Sequence, residues 1–237
     1  MRAVILAGGR GTRLAPYTTV FPKPLVPIGE IPIVEIVIRQ LGHFGFSHVT
    51  LAVGYLSELL RAYLQSKSAC FEGIDIDYVH EAEPTGTAGS LANIEGLDET
   101  FLVMNGDILT TLDYGALIEH HRQSGAALTI ATYPKIVKID LGVIEADDAG
   151  FVTGYREKPE LDYSVSMGIY IYEPRALRFV ERGQYLDFPT LVHRLIAAGE
   201  PVATYRWNGY WLDIGRPEDY ELAAQKFEAH REEFHID

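Results

Sequence analysis

The sequence predicts an α/β domain with a mostly parallel sheet, on two observations. In the first half of the chain, short apolar segments typical of buried strands alternate with longer amphipathic segments typical of helices. Such alternation places helices on both faces of a parallel sheet. The 237 residues are also 47% hydrophobic and 22% charged, so the chain has enough apolar side chains to form a folded core.

Strands and helices are predicted in turn through the first half. The predicted strands are residues 3–7, 49–53, 74–79 and 101–104. The predicted helices are residues 31–44, 57–65 and 87–94, and a helix that follows Asp113 and ends near Gln123. Pro32 occupies a position that favours the start of a helix. Asp113 is a residue type preferred as an N-cap.

The second half begins with shorter strand-like segments. The predicted strands are residues 127–133, 142–145, 151–156 and 165–172, which we expect to form an antiparallel ribbon laid on the sheet. Helices follow at residues 174–180, 188–198 and 217–229, separated by extended segments at 202–205 and 211–213. The composition indicates no linker, low-complexity segment or internal repeat. We therefore expect one domain, residues 1–237.

The charge distribution indicates a small anionic ligand. The chain carries 20 Lys and Arg against 33 Asp and Glu, a formal net charge of −13, which argues against general binding to nucleic acid or anionic membranes. The first 29 residues nevertheless contain Arg2, Arg10, Arg13 and Lys23 and no acidic residue. A local basic segment within an acidic protein suits a small anion.

The sequence favours a cytoplasmic location. No segment approaches the roughly 18 to 20 consecutive apolar residues that a membrane helix needs, and the start of the chain lacks the pattern of a secretory signal peptide. Cys70 is the single cysteine of the sequence, which suits a reducing compartment. We expect its side chain to pack inside the protein.

A glycine-rich loop, LAGGRGTRL at residues 6–14, follows the first predicted strand. At the carboxyl end of a strand, the backbone N–H groups of such glycines can approach phosphate oxygens, and Arg13 can add a planar fork of donors. Two familiar phosphate loops do not match: Leu14 replaces the third glycine of G-x-G-x-x-G, and no G-K-[ST] follows. A turn that merely reverses the chain is the alternative.

This loop and the segment PKPLVPI at residues 22–28 resemble the signature of sugar-1-phosphate nucleotidylyltransferases. The resemblance continues through ordered motifs along nearly the whole chain. These motifs are EPTGTAG at 83–89, NGD at 105–107, GVI at 142–144, EKP at 157–159, MGIY at 167–170 and WLDIG at 211–215. Two positions depart from the family pattern: Ala15 replaces an arginine common in the family, and Leu141 replaces a tyrosine.

The resemblance implies a Rossmann-like enzyme that joins a nucleoside triphosphate to a sugar 1-phosphate and releases pyrophosphate. Residues 1–125 would bind the nucleotide, and residues 126–237 would bind the sugar, with the antiparallel ribbon on the sugar side. The attacking phosphate oxygen is already mostly anionic at neutral pH, so no protein base is required. Positioning and cations would lower the barrier. Only about 20 residues follow Pro217, so we expect no C-terminal hexapeptide-repeat β-helix.

The resemblance also assigns the nucleotide and metal sites. Arg13 and Lys23 would neutralise the triphosphate, and Asp107 and Asp213 would hold Mg²⁺ together with substrate phosphates. Arg13, Lys23 and Asp107 are the expected catalytic residues. The expected nucleotide-binding residues are Leu6, Ala7, Gly8, Gly9, Gly11, Thr12, Arg13, Lys23, Glu81, Gly86, Thr87 and Asp107. A solvated loop lysine and two capping aspartates are the alternatives.

The expected sugar-phosphate residues are Gly142, Glu157, Lys158, Ser166 and Gly168. By resemblance, Glu157 would accept hydrogen bonds from sugar hydroxyls and Lys158 would contact the sugar phosphate. Gly142 would let the sugar approach the backbone. An ordinary surface ion pair is the alternative for Glu157 and Lys158.

Glu81 occupies the family's base-binding position and favours GTP. A carboxylate can accept from the paired N–H donors of guanine, whereas uracil and thymine present one ring N–H between two carbonyls. The expected sugar is mannose 1-phosphate or a heptose 1-phosphate. Uridylyl or thymidylyl transfer to another sugar 1-phosphate, and a catalytically silent nucleotide-sugar sensor, remain open, as does assembly into a homo-oligomer.

A second acidic motif, Asp75-Ile76-Asp77, matches the D-x-D metal signature of nucleotide-sugar glycosyltransferases. Strand alternation, however, places Ile76 on one face and both aspartates on the other, toward solvent. The eight histidines show no metal-ligand spacing. His120 and His121, adjacent on a predicted helix, are expected at the surface.

Overall fold

The computed structural model describes residues 1–9, 11–14, 17–81 and 84–236. The strands are β1 (Arg2–Ala7), β2 (Pro27–Ile28), β3 (Ile31–Pro32), β4 (His48–Val53), β5 (Asp75–His80), β6 (Phe101–Asn105), β7 (Ile108–Thr110), β8 (Leu128–Lys138), β9 (Val143–Ala146), β10 (Val152–Arg156), β11 (Glu160–Tyr172), β12 (Val202–Arg206) and β13 (Trp211–Asp213). The α-helices are α1 (Ile33–His43), α2 (Ser57–Ser66), α3 (Gly86–Gly89), α4 (Tyr114–Ser124), α5 (Phe188–Ala197) and α6 (Pro217–Ala229). Short 3₁₀ turns lie at Thr12–Leu14, Tyr17–Thr19, Lys23–Leu25, Ser68–Phe71, Ser90–Asn93, Pro174–Phe179 and Arg231–Phe234.

The largest sheet of the described residues has seven strands in the order β12-β8-β11-β6-β1-β4-β5. Strands β6, β1, β4 and β5 run parallel to one another, and β12 runs parallel to β8. Strand β11 lies antiparallel between β6 and β8. The predicted mostly parallel α/β sheet is therefore confirmed.

The hydrophobic core lies on both faces of this sheet. Along β1, Ala3 and Ile5 belong to one buried cluster, whereas Val4 between them belongs to the other, as expected when successive side chains alternate across a strand. Helices α1, α2, α4 and α6 contribute to the first cluster, and α5 contributes to the second. No helix among the described residues is both long and apolar enough to traverse a bilayer.

Three predicted helices differ in extent from those observed. Helix α1 starts at Ile33, because residues 31–32 pair with β2 and Pro32 stands as the N-cap with an extended backbone. The segment predicted as a helix at 87–94 is one α-turn followed by a 3₁₀ turn, in keeping with the poor helix propensity of its glycines. The segment predicted at 174–180 is a 3₁₀ turn.

The predicted antiparallel pairing is confirmed, but the expectation that all four strands lie on the sheet as a ribbon is wrong. Strands β8 and β11 belong to the seven-stranded sheet, because Ile169–Tyr172 of β11 pair with β6. Both strands are longer than the pattern indicates, and we use ribbon for their outer parts together with the β9–β10 pair. Strands β8 and β11 pair as far as the Glu160–Lys138 register, beyond the edge of the neighbouring strand β6. Strands β9 and β10 form a separate antiparallel pair. Alternation failed to reveal the extension because its side chains are exposed on both faces, apolar Ile136 and Tyr163 included.

Candidate active site

A cavity of about 740 Å³ opens at the carboxyl ends of β1, β4, β5 and β6. Open α/β sheets bind ligands at this edge because the loops that follow parallel strands converge there. The lining residues are Leu6, Gly8, Gly9, Gly11, Thr12, Arg13, Lys23, Ala52, Gly54, Tyr55, His80, Glu81, Pro84, Gly86, Thr87, Ser90, Asn105, Asp107 and Gly215. This set contains every expected nucleotide-binding residue except Ala7, whose side chain is buried in the core.

The glycine-rich loop packs closely against the rest of the cavity. A Cβ on Gly8 would lie 3.0 Å from Oε2 of Glu81, so glycine permits this approach. Gly11 has a φ of +61°, and a Cβ there would lie 2.9 Å from the side chain of Thr18. The Thr18 hydroxyl donates a 2.7 Å hydrogen bond to the Gly11 carbonyl oxygen. A side chain would therefore strain the loop at Gly11, and at Gly8 it would crowd the Glu81 carboxylate.

Lys23 and Asp107 form an ion pair inside this cavity. The Lys23 ammonium group contacts Oδ2 of Asp107. A 3₁₀ turn that includes the buried Pro24 holds Lys23. The backbone N–H of Gly106 donates to the Leu6 carbonyl oxygen at 2.9 Å, which fixes the Asp107 segment against β1. The other carboxylate oxygen of Asp107, Oδ1, is buried and has no hydrogen-bond partner among the described residues.

Asp213 joins this group from a distant part of the chain. Strand β13 pairs antiparallel with β7, in register Asp213 to Ile108, and the Ile214 N–H donates to the Asp107 carbonyl oxygen at 3.0 Å. Partial burial raises the pKa of the Asp213 carboxyl group, and the nearby charge of Asp107 raises it further. Lys23 and Arg13 lower the same pKa. Asp107, Asp219, Lys23 and Arg13 therefore all lie within electrostatic reach of Asp213.

Segments from both halves of the chain hold the turn next to Glu81. The Thr85 hydroxyl donates a 2.7 Å hydrogen bond to Oε1 of Glu81. The Leu186 N–H donates to the Thr85 carbonyl oxygen at 2.8 Å, and the Leu186 carbonyl oxygen accepts from the N–H groups of Ala88 and Gly89 in α3. The Phe188 N–H donates to the Thr87 hydroxyl at 3.0 Å. The second half therefore fixes a turn that lies in the first.

Ser166 and Gly168 lie beside the cavity without lining it. Gly168 has a φ of +73°, and a Cβ there would lie 2.6 Å from the Asn105 side-chain nitrogen. The Gly168 N–H donates to the Ser166 hydroxyl at 3.3 Å. Between them, the Met167 carbonyl oxygen accepts a 3.0 Å hydrogen bond from the Trp211 indole. This bulge in β11 is thereby joined to the strand that carries Asp213.

Gly142 directly precedes β9, and Glu157 and Lys158 directly follow β10. None of the three lines the cavity. Glu157 and Lys158 are exposed, and Lys158 has a left-handed backbone with a φ of +44°. A Cβ on Gly142 would collide with the hydroxyl of Tyr155. The face of Gly142 that we expect the sugar to approach is therefore covered by the phenol ring in this structure.

The structure adds cavity residues to which sequence reasoning gave no role. Gly54 and Tyr55 follow β4, His80 ends β5, and Asn105 ends β6. Gly215 reaches the same cavity from the second half of the chain. The available signal was positional, since residues at the carboxyl ends of parallel strands share one edge of the sheet.

The acidic motif of β5 lies at the other end of the sheet. Asp75 is exposed at the amino end of β5, whereas the cavity lies at the carboxyl end. Asp77 pairs with Arg2 at 3.1 Å and faces His48 at 3.1 Å. Within the described ranges, no cluster of three or more His, Cys, Asp or Glu side chains could hold a metal ion.

Two expectations outside the site are wrong. His121 is buried, with its ring nitrogens 2.7 Å from the Thr129 hydroxyl and 3.1 Å from Glu173, because the α4 face that carries it packs on β8. Cys70 is exposed, because it lies on a surface 3₁₀ turn where Phe71 supplies the buried side chain.

Arg10, Ala15 and Glu83, which belong to the motifs above, lie outside the described residues.

Residues 2–230 match the family model described as Nucleotidyl transferase. The chain belongs to the nucleotidyl transferase family. Its relatives include a UTP–glucose-1-phosphate uridylyltransferase from Synechocystis, which is 33% identical over 95% of this chain and 63% of its own length. The mannose-1-phosphate guanylyltransferase catalytic subunit beta of Danio rerio is 34% identical over 93% of this chain and 62% of its own length.

Two solved structures share the fold of this chain. The crystal structure of HddC from Yersinia pseudotuberculosis is 28% identical, with a TM-score of 0.72 over 95% of this chain and 99% of that one. The same protein complexed with GMP-PN is 27% identical, with a TM-score of 0.71 and the same coverage. The chain spans less than two thirds of the length of the two curated relatives above.

Proposed function

We propose that this chain transfers a nucleotidyl group from a nucleoside triphosphate to a sugar 1-phosphate, giving a nucleotide sugar and pyrophosphate. The observation that carries the proposal is the Lys23–Asp107 ion pair, which lines the same cavity as the glycine-rich loop and has Asp213 within electrostatic reach. Two polyanionic reactants repel each other, and a site that mixes fixed cations, backbone donors and acids for a metal counters this repulsion.

In the proposed reaction, the glycine-rich loop and Arg13 bind the triphosphate, and Lys23 neutralises the phosphates next to the reacting α-phosphorus. The sugar phosphate oxygen attacks in line, and pyrophosphate leaves. The attacking oxygen is already anionic, so the chain has to align and neutralise the reactants rather than remove a proton. The proposed sugar-phosphate residues are Gly142, Glu157, Lys158, Ser166 and Gly168.

The donor set at this site fits a magnesium ion. Oδ1 of Asp107 is buried without a partner among the described residues. Asp213 brings a second carboxylate, whose pKa is raised by partial burial and then by the charge of Asp107. Mg²⁺ is commonly held by one or two carboxylates together with substrate phosphates. We propose that Asp107 and Asp213 hold this ion. When bound, it would neutralise charge on the transferred phosphate.

The preferred triphosphate in this proposal is GTP, with mannose 1-phosphate or a heptose 1-phosphate as the acceptor. Glu81 lines the cavity, and Thr85 orients its carboxylate, which suits the two N–H donors of guanine. The guanylyltransferase relative and the GMP-PN complex of HddC support this preference. The uridylyltransferase relative supports UTP as the second candidate. We also propose a cytoplasmic location, where both substrates are available.

A pyrophosphate-release screen tests the proposal. GTP, UTP, dTTP, ATP and CTP are each combined with a panel of sugar 1-phosphates in the presence of Mg²⁺. We expect the fastest release with GTP and a mannose-type acceptor. Faster release with UTP or dTTP would overturn the base assignment and leave the reaction class standing. Binding of nucleotide sugars without release from any pair would instead support the sensor alternative.

A further inference from the structure

Tyr155 connects two of the proposed sugar-phosphate residues. Its hydroxyl donates a 2.9 Å hydrogen bond to Oε2 of Glu157. Its phenol ring also covers Gly142, where a Cβ would collide with the hydroxyl and come within 2.5 Å of the ring carbon that carries it. The exposed Tyr155 side chain of β10 therefore fills the space beside the α-carbon of Gly142 and orients the Glu157 carboxylate.

Glu157 needs such an orienting contact because its surroundings provide little restraint. The residue is exposed, follows the end of β10 and precedes Lys158, whose backbone is left-handed. A free glutamate side chain samples many rotamers, and fixing it on binding a ligand carries an entropic cost. A bond to Oε2 meets part of that cost before the ligand arrives and leaves Oε1 able to accept from a sugar hydroxyl.

The space over Gly142 makes this orientation possible. The Tyr155 ring reaches Glu157 by crossing the α-carbon of Gly142, and any side chain there would displace the phenol. The glycine is thus required by the tyrosine in this structure, whether or not a ligand also approaches its backbone. The paired strands β9 and β10 bring Tyr155 to this position, because it lies opposite Ile144 in the ribbon.

We infer that Tyr155 is a positioning residue for the sugar 1-phosphate, holding the Glu157 carboxylate in the orientation that accepts a sugar hydroxyl. The inference rests on the proposed function and adds a residue to its sugar side. Tyr155 acts through Glu157, so its loss affects binding of the sugar 1-phosphate. It does not affect binding of the triphosphate, whose proposed residues line the cavity instead.

The test is a double-mutant cycle with Tyr155→Phe and Glu157→Ala, assayed by pyrophosphate release with the most active substrate pair. We expect Tyr155→Phe to raise KM for the sugar 1-phosphate about 3- to 10-fold, the scale of the net contribution of one typical hydrogen bond. The triphosphate KM and kcat should change by less than about twofold, because the cavity contacts remain. In the Glu157→Ala background, Tyr155→Phe should have no further effect.

Tyr163→Phe is the matched control, since Tyr163 is another exposed tyrosine of the ribbon, and its kinetics should equal those of the wild type. If the wild type is active and Tyr155→Phe leaves KM for the sugar 1-phosphate unchanged, the positioning role is overturned and the proposed function stands. The same holds if the effects of the two substitutions on this KM add in the double variant. If Tyr155→Phe lowers the melting temperature and raises KM for both the sugar 1-phosphate and the triphosphate, Tyr155 has a structural role and the positioning role is also overturned. Wild type without pyrophosphate release from any pair would overturn the proposed function and this inference together.

Discussion

The cavity and the ribbon hold their charged side chains in opposite ways. In the cavity pair, the side chains of Lys23 and Asp107 are 14% and 21% exposed. In the ribbon pair, the side chains of Lys138 and Glu160 are 69% and 54% exposed. Attraction between shielded charges is stronger, and removal of one member leaves the other without compensation. Exposed pairs contribute little because water screens them.

This difference indicates that the cavity is preorganised for its proposed substrate, the triphosphate, to a greater degree than the ribbon is for the sugar 1-phosphate. The cavity is built from strand ends and packed glycines, so its donors are in position before a ligand binds. The ribbon presents its polar groups on exposed strands, so the proposed recognition of the sugar 1-phosphate there would depend on a few local contacts such as Tyr155 to Glu157. Changes in the cavity should therefore reduce turnover, and changes on the ribbon should reduce affinity for the sugar 1-phosphate.

The largest expected effect follows from Asp107→Asn. This change removes one of the two proposed magnesium carboxylates and the charge opposite Lys23. We expect turnover with saturating substrates to fall at least about 10²-fold, the scale of one major electrostatic contribution. Circular dichroism should remain that of the wild type. Asp75→Asn is the control, because Asp75 lies exposed at the far end of β5, and a comparable loss in that variant would favour the D-x-D motif as the metal site.

Lys23→Ala should have the next largest effect. Loss of the ammonium group removes a fixed positive charge from the proposed triphosphate site, and we expect kcat/KM for the triphosphate to fall about 10- to 100-fold. Raising the magnesium concentration should not restore it, because a mobile ion does not replace a charge fixed on the loop. Lys138→Ala on the ribbon provides the contrast and should leave this constant unchanged. Full recovery in excess magnesium would refute the assigned role.

On the ribbon, Glu157→Gln should act on affinity alone. The variant keeps the size of the side chain and removes its charge, so the proposed bond to a sugar hydroxyl weakens. We expect KM for the sugar 1-phosphate to rise about 5- to 10-fold, with kcat and the triphosphate KM unchanged. Glu160→Gln, three residues along and equally exposed, is the control. A fall in kcat without a change in KM would contradict the proposal that the cavity determines turnover and the ribbon determines affinity for the sugar 1-phosphate.

The smallest expected effect is on the free energy of unfolding. It extends the comparison to a buried side chain, His121, that lies outside both the cavity and the ribbon. Burial lowers the pKa of His121, although its partner Glu173 opposes the shift. The unfolded chain, with an ordinary pKa near 6.5, then binds more protons than the folded protein at mildly acidic pH. The stability that neutral His121 contributes is therefore fully present above the unfolded-state pKa, and it is lost as the pH falls through the folded-state pKa.

Urea unfolding of the wild type and of His121→Gln, at pH 7.5 and pH 5.5, measures this contribution. We expect the wild type to lose more free energy of unfolding between these pH values than the variant does. His120→Gln is the control, since His120 lies on the same helix with its ring edge against Tyr205 at 5.3 Å and should follow the wild type. An equal pH dependence in all three proteins would exclude His121 as the source.

Much of the parallel half of the fold could be predicted from sequence. Strands such as residues 3–7 and 49–53 are apolar, short and separated by amphipathic helices, a pattern that depends on neighbouring residues alone. The ribbon was harder to predict, because the outer parts of β8 and β11 have no buried face to impose alternation. His121 was misplaced for a related reason: its polar side chain is buried by tertiary contacts with Thr129 and Glu173, which periodicity does not encode.

The sequence by itself determined the local parts of the candidate site: the glycine-rich loop, the Pro22-Lys23-Pro24 frame, and the acid that follows β6. These depend on backbone freedom and strand order, which adjacent residues specify. The pairing of Asp107 with Asp213 was expected from family resemblance alone, and the tertiary structure decided the contacts that join their segments. Only the tertiary structure decided that Leu186 fixes the turn beside Glu81 and that Tyr155 covers Gly142. The first two contacts join residues far apart in the chain, and the third depends on the path of one side chain, so all three arise from packing that no local pattern contains.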